Sequence, residues 1–205
     1  MSKLKLTYFD FHGGRGEPAR LAMSMGGIEF EDQRVTFETW RKLKPQLPFG
    51  SMPVLEVDGK TLTQCNTINR YVGRLANLYP ADQWQAARCD EVMDAVEDIT
   101  HQIVATFSVK DEQEKKTLRE ALADGPISLY LERLQAYLEE RGSRYFADGR
   151  ITVADLKVFV WTRHLSSGNL DHVPADLVER TAPLLVEHMQ RVGAHPKIVE
   201  YYENG

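Results

Sequence analysis

Every strand-like alternation in this 205-residue chain falls before residue 80, and the remainder is helical in period. A chain patterned this way must close a small sheet from its first part and pack helices against it. Residues 3–10 alternate as a strand. His12-Gly13-Gly14-Arg15-Gly16 then turns the chain into a helix from Glu17 to Met25, which Gly26-Gly27 stops. Residues 28–35 alternate again through Ile28, Phe30 and Val35. Thr36 to Lys44 forms a short helical turn, closed by Pro45 and Pro48. Pro53 to Val57 and Lys60 to Thr63 flank Asp58-Gly59, a hairpin turn signal. A third helix follows from Asn66 to Asn77. Strand, helix and strand within residues 3–35 require a parallel pair with a right-handed crossover. The hairpin makes the sheet mixed.

After Tyr79-Pro80 the pattern changes. Val92, Val96, Ile99, Ile103 and Phe107 recur at helical spacing, as do Leu118, Leu122, Leu129, Leu134 and Leu138. Gly125-Pro126 is expected to bend or break that second run. Thr152 and Asp155 read as a capping box with Ile151 and Leu156 at the staple positions. The helix behind them, LKVFVWTRHL, is apolar nearly all round and should be buried. Two more helices are expected over about 176–192 and 196–203. The boundary between the two regions is placed at 78–84.

Composition narrows the function. A net charge of −5 gives no electrostatic reason to expect nucleic acid or an anionic membrane as partner. Two cysteines, Cys65 and Cys89, cannot build a disulfide framework and suggest a reducing, cytoplasmic setting. The segment MSKLKLTYFDF is charged too early for a signal peptide. No apolar run approaches the length of about 20 residues that a membrane span needs.

The residues that carry chemistry lie mostly in the first region. Tyr8 ends the first strand and faces a turn holding three glycines, which let backbone or ligand approach closely. Met52-Pro53 opens the hairpin, and a cis bond there would leave the Met52 backbone free to pair with an extended ligand. Gln64-Cys65 stands at a helix start, where unpaired N–H groups suit a carboxylate and a thiol should be somewhat acidic. Together these features suit a small peptide-like thiol. Gly14-x-Gly16-x-x-Ala19 with Asp32 imitates a dinucleotide fingerprint. The chain supplies no further strand-helix-strand units to complete that fold. Asp90, Asp94, Glu97 and Asp98 form one helical stripe, read as a mostly solvated face, with a divalent ion as the open alternative. The six histidines show no metal-ligand spacing, and no metal is expected.

These residues, in this order, resemble the glutathione transferases, most closely the sigma class, over nearly the whole chain and most strongly over residues 4–76. The resemblance implies an α/β thioredoxin-like N-terminal domain with a mixed four-stranded sheet, over 1–79. It implies an all-α C-terminal domain over 84–205 that lines the electrophile pocket. It implies conjugation of glutathione, as co-substrate, to hydrophobic electrophiles in a detoxifying homodimer. Tyr8 would be the catalytic tyrosine. Arg15, Trp40, Lys44, Ser51, Met52, Pro53, Gln64 and Cys65 would bind glutathione. Asp98 would reach the glutathione of the neighbouring subunit, and Phe49 would contact that subunit. Phe11, Val104 and Phe107 are named for the electrophile pocket by position. Position 65 is serine in most of the family and cysteine here, a weaker donor. The loop HGGRG is one residue longer than the usual sigma turn. Residue 105, tryptophan in the prostaglandin-isomerising members, is Ala105, so that activity is not expected. Two other functions stay open on the same fold. One is a non-catalytic glutathione-binding or structural protein; the other is a thiol reductase that works through Cys65.

Overall fold

The computed structural model describes residues 2–142 and 144–204. Four strands, β1 (Leu4–Phe9), β2 (Glu31–Val35), β3 (Val54–Val57) and β4 (Lys60–Thr63), form one mixed sheet in the order β2-β1-β3-β4. β1 runs parallel to β2 with Tyr8 opposite Arg34, and antiparallel to β3 with Thr7 opposite Val54. β3 and β4 pair as the hairpin around Asp58-Gly59. The parallel pair is joined by helix α1 (Glu17–Met25), as the crossover rule requires. The second strand begins later than the alternation suggested, because Ile28 and Phe30 precede its ladder.

Helix α2 (Phe37–Leu43) is capped by the Thr36 side chain, which accepts from the Thr39 N–H. Helix α3 (Cys65–Leu75) starts directly at the cysteine. Beyond it lie α4 (Gln83–Ala105), α5 (Glu112–Leu122), α6 (Ser128–Glu140), α7 (Val153–Leu165), α8 (Leu177–Thr181), α9 (Pro183–Gly193) and α10 (Pro196–Asn204). Gly125-Pro126 does not break the helix between α5 and α6. Residues Ala123–Ile127 continue it as a π-helical stretch that accommodates the proline. The single helix expected over 176–192 is two. Proline at 183 disfavours helical torsions in the residue before it, and Ala182 sits at φ −145°, ψ 66° between α8 and α9.

The core runs through both regions. Leu4, Leu6, Leu21, Leu55, Ile68 and Val72 from the sheet unit share one apolar cluster with Val96, Ile99, Leu131, Leu156 and Val158. Helix α7 is buried along nearly its whole length, as its apolar run requires. A smaller cluster of Tyr8, Val35 and Met52 packs with Phe9, Trp40, Leu43 and Leu47 near the end of β1. Among the described residues, no helix is long and apolar enough to cross a membrane.

Candidate functional site

Tyr8 is 5% exposed at the end of β1. Its place is fixed from two sides. The fully buried Arg20 of α1 donates to the carbonyls of Phe9 at 3.1 Å and Phe11 at 3.0 Å, pinning the backbone that leaves the strand. The Arg20 guanidinium is held in turn by Asp32 at 3.0 Å. That contact gives Asp32 a structural task in place of the one the dinucleotide pattern offered. On the other side the glycine turn folds onto the ring. A Cβ at Gly16 would lie 2.4 Å from Tyr8 Cγ, and one at Gly14, whose φ is +66°, 2.5 Å from the hydroxyl oxygen. Only residues without a side chain permit that approach.

The Arg15 main-chain N–H donates to the Tyr8 hydroxyl oxygen at 2.9 Å. No described residue accepts the hydroxyl's own proton, which leaves it available. Burial pushes the Tyr8 pKa up to about 12, against the opposing pull of the Arg15 N–H and guanidinium. Near neutral pH the group is therefore a protonated phenol, suited to donating a hydrogen bond and unsuited to acting as a base.

Beneath the tyrosine lies a charge cluster. Arg15 Nε donates to Glu97 Oε1 at 2.6 Å, while its Nη2 is buried without a hydrogen-bond partner among the described residues. Glu97 Oε2 accepts from Lys157 Nζ at 2.6 Å and from Cys65 Sγ at 3.1 Å. Lys157 also donates to Asn66 Oδ1 at 2.6 Å and lies 3.5 Å from Cys65 Sγ. Burial alone would raise the Glu97 pKa. The charges of Lys157 and Arg15 and the hydrogen bonds from Lys157 and Cys65 override it and bring the carboxyl down to about 2. Cys65 goes the other way. Burial pushes its thiol up by more than the Lys157 ammonium draws it down, with Glu97 adding to the rise. The expectation of an acidic thiol at the start of α3 is corrected accordingly: desolvation, with Glu97, outweighs the pull of Lys157 and Arg15.

The acidic stripe on α4 is also less solvated than expected. Asp90 accepts from Arg70 at 2.7 Å and from the Tyr79 hydroxyl at 3.0 Å, and Asp94 from Asn66 at 2.6 Å and Arg70 at 3.1 Å. Asp94 and Asp98 keep exposed surfaces. Among the described residues, no group of three or more His, Cys, Asp or Glu side chains is placed to hold a metal ion. The carboxylates of the stripe's first three members each face a cation instead.

The other expected residues divide into two groups. Phe11 stands edge-on to the Tyr8 ring at 5.9 Å, and Trp40 edge-on to Phe9 at 5.7 Å. Met52 is buried beside Tyr8, and the Met52–Pro53 bond is cis. Lys44, Ser51, Gln64 and Asp98 are exposed, with Gln64 at φ 70°. Val104 is 37% exposed at the end of α4, and Phe107 lies against the Arg119 guanidinium at 5.2 Å. Three participants carry no motif in the sequence: Lys157, Asn66 and the half-buried Glu97. The lysine had one signal, a charge inside an otherwise apolar helix, which must find a partner.

The family model for the glutathione S-transferase N-terminal domain matches residues 4–74, and that for the C-terminal domain matches residues 97–205. The chain is 37% identical to glutathione S-transferase 1 of Ascaris suum over 77% of this chain and 78% of that one. Its structure is similar to prostaglandin synthase D of Nilaparvata lugens, with TM-score 0.87 and 30% identity over 98% of this chain and 97% of the other. It is also similar to the sigma class glutathione transferase of Fasciola hepatica, with TM-score 0.84 and 27% identity over 99% and 96%.

Proposed function

The chain belongs to the glutathione S-transferase family and is a glutathione transferase, and from that premise we propose that Tyr8 makes the bound thiol reactive by donating a hydrogen bond to its anion. The observation that carries this reading is the unengaged hydroxyl proton of a buried tyrosine whose oxygen already accepts the Arg15 N–H. A free thiol with a pKa of about 8.5 is roughly 3% ionised at pH 7. A hydrogen bond to a charged group contributes about 1.5–3 kcal/mol, which lowers the thiol pKa by about 1–2 units. The remaining barrier reduction comes from holding thiolate and electrophile together.

The unit over 1–79 holds the tripeptide in this proposal. Trp40 and Lys44 take its glycine end, and Met52 with Ser51 and Pro53 its cysteinyl backbone. Gln64 and the main-chain N–H of Cys65 at the start of α3 take its γ-glutamyl carboxylate, with Arg15 nearby. The helices over 84–205 supply the hydrophobic electrophile's wall, with Phe11, Val104 and Phe107 at its edge. Burial of the Cys65 thiol argues against the reductase alternative. A prostaglandin synthase is among the similar structures, so isomerisation is the activity to compare, and Ala105 supports conjugation instead. Phe49, 68% exposed, and the exposed Asp98 support a homodimer that sedimentation velocity tests directly. The two free cysteines support a cytoplasmic location.

The test is Tyr8→Phe. Glutathione should still bind, and the rate of conjugation at pH 7 should fall about 8- to 25-fold, the loss of thiolate that follows from giving up about 1–2 units of thiol pKa. An unchanged rate would remove Tyr8 from the chemistry.

A further inference from the structure

Helix α7 is apolar nearly all round, yet Lys157 stands within it at 5% exposure. A buried ammonium is costly unless it is paired and hydrogen-bonded. The structure pairs it with Glu97 and Asn66, both at 2.6 Å, and sets it 3.5 Å from the Cys65 sulfur. The contacts then continue outward. The second oxygen of Glu97 accepts from Arg15 Nε at 2.6 Å, and the Arg15 main-chain N–H reaches the Tyr8 oxygen at 2.9 Å. Three segments far apart in sequence, α7, α4 and the turn after β1, are thus joined in a line that ends on the tyrosine hydroxyl.

We propose that Lys157 is a positioning residue for Tyr8: it fixes Glu97, Glu97 fixes the Arg15 side chain, and Arg15 in consequence keeps its main-chain N–H on the hydroxyl oxygen. The inference rests on the reading of Tyr8 as donor to the thiolate. A hydrogen bond accepted at the oxygen polarises the O–H bond and makes the phenol a better donor. Held in this way, Arg15 also keeps its positive charge beside the tyrosine. The pair as a whole is not required for stability, because replacing a buried ion pair by apolar side chains of similar volume is often neutral or stabilising.

The neighbours are few. Arg15, Lys157, Cys65 and the exposed His101, 3.6 Å away, face Glu97. Tyr8 is faced by Arg15, by Cys65 and by Arg20, whose guanidinium is 5.7 Å from the ring centre. Lys157 is the contact that reaches Glu97 from α7.

The experiment titrates the ultraviolet absorbance of bound glutathione thiolate against pH, with kcat and KM, in the full chain. The variants are Tyr8→Phe, Lys157→Met, Glu97→Gln and the Lys157→Met/Glu97→Gln pair. Lys157→Met should raise the bound thiol's pKa by about half a unit to one unit, which is about a 1.5- to 8-fold loss of thiolate at pH 7 and about a three- to ten-fold loss well below the pKa. The acid limb of kcat/KM should move with it. Glu97→Gln should do the same, and the double variant should be no worse than the poorer single one, because both cut one line. A bound thiol with wild-type pKa in folded Lys157→Met, or additive shifts in the pair, overturns the proposal. Should Lys157→Met not fold, Arg15→Met cuts the line at a partly exposed position; an unmoved thiol pKa there also overturns it. Tyr8→Phe separates the two levels. If it leaves the thiol pKa unchanged, the reading of Tyr8 itself fails. If it raises that pKa and Lys157→Met does not, the failure belongs to Lys157 alone.

Discussion

A methyl group at Gly16 would sit 2.4 Å from Tyr8 Cγ, closer than side-chain carbons ever come, so the ring and the turn cannot both stay where they are. Gly16→Ala is expected to cost about 1–3 kcal/mol of stability as an overpacked contact. It should also lower kcat/KM about ten-fold or more, because a small displacement of the hydroxyl spoils its aim at the sulfur. Thermal unfolding and steady-state kinetics on one preparation measure both. Tyr8 and its glycines were legible because the signal is local: a phenol ends a strand and small residues follow. Glu97 and Lys157 were not. Periodicity put Glu97 on an acidic stripe, but it says nothing of what lies opposite, and its partners Arg15 and Lys157 are 82 and 60 positions away. Cys65 misled for a related reason. Its place at a helix start is written in the sequence, whereas the depth of its burial depends on α4 and α7.

The elements divide along the same line between local and distant causes. The capping box at the start of α7 was readable, since Thr152 and Asp155 are three residues apart, and the Thr152 N–H and hydroxyl both donate to Asp155 Oδ2. The second duty of Asp155 was not readable. Its other oxygen accepts from the Phe146 N–H at 3.0 Å and lies 2.9 Å from His188 Nε2, tying α7 to the preceding loop and to α9. Asp155→Ala should therefore cost far more than a lost cap, about 3–5 kcal/mol rather than about 1, because buried donors are left unmet. Urea denaturation of Asp155→Ala beside Thr152→Ala measures the difference. The break between α8 and α9 falls inside the span 176–192 expected as one helix, at Pro183, whose ring disfavours a helical Ala182.

At the scale of the molecule, Glu97 makes the contact between the two regions depend on acidity. Its pKa falls from an ordinary 4.5 to about 2 in the folded chain, so the folded state takes up a proton less readily than the unfolded one. The resulting stability, on the order of 3 kcal/mol, is fully present above pH 4.5 and is lost as the pH falls toward 2. Glu97→Gln should be less stable than wild type at pH 7, and the gap should close as the pH approaches 2; denaturant titrations across that range read it. The fold class was legible because strands and helices are segregated along the chain, while the seam between them was not, since it is built from single residues of each part. That seam bears on recombination. A hybrid joining the first 79 residues of a relative to the remainder of this chain would carry Glu97 and Lys157, and would need an arginine in the turn after β1 to answer them. The reverse hybrid would carry Arg15 and would need an acid and a lysine opposite it. Exchanges that supply these partners should be more stable than those that do not, and restoring a missing partner should repair the latter.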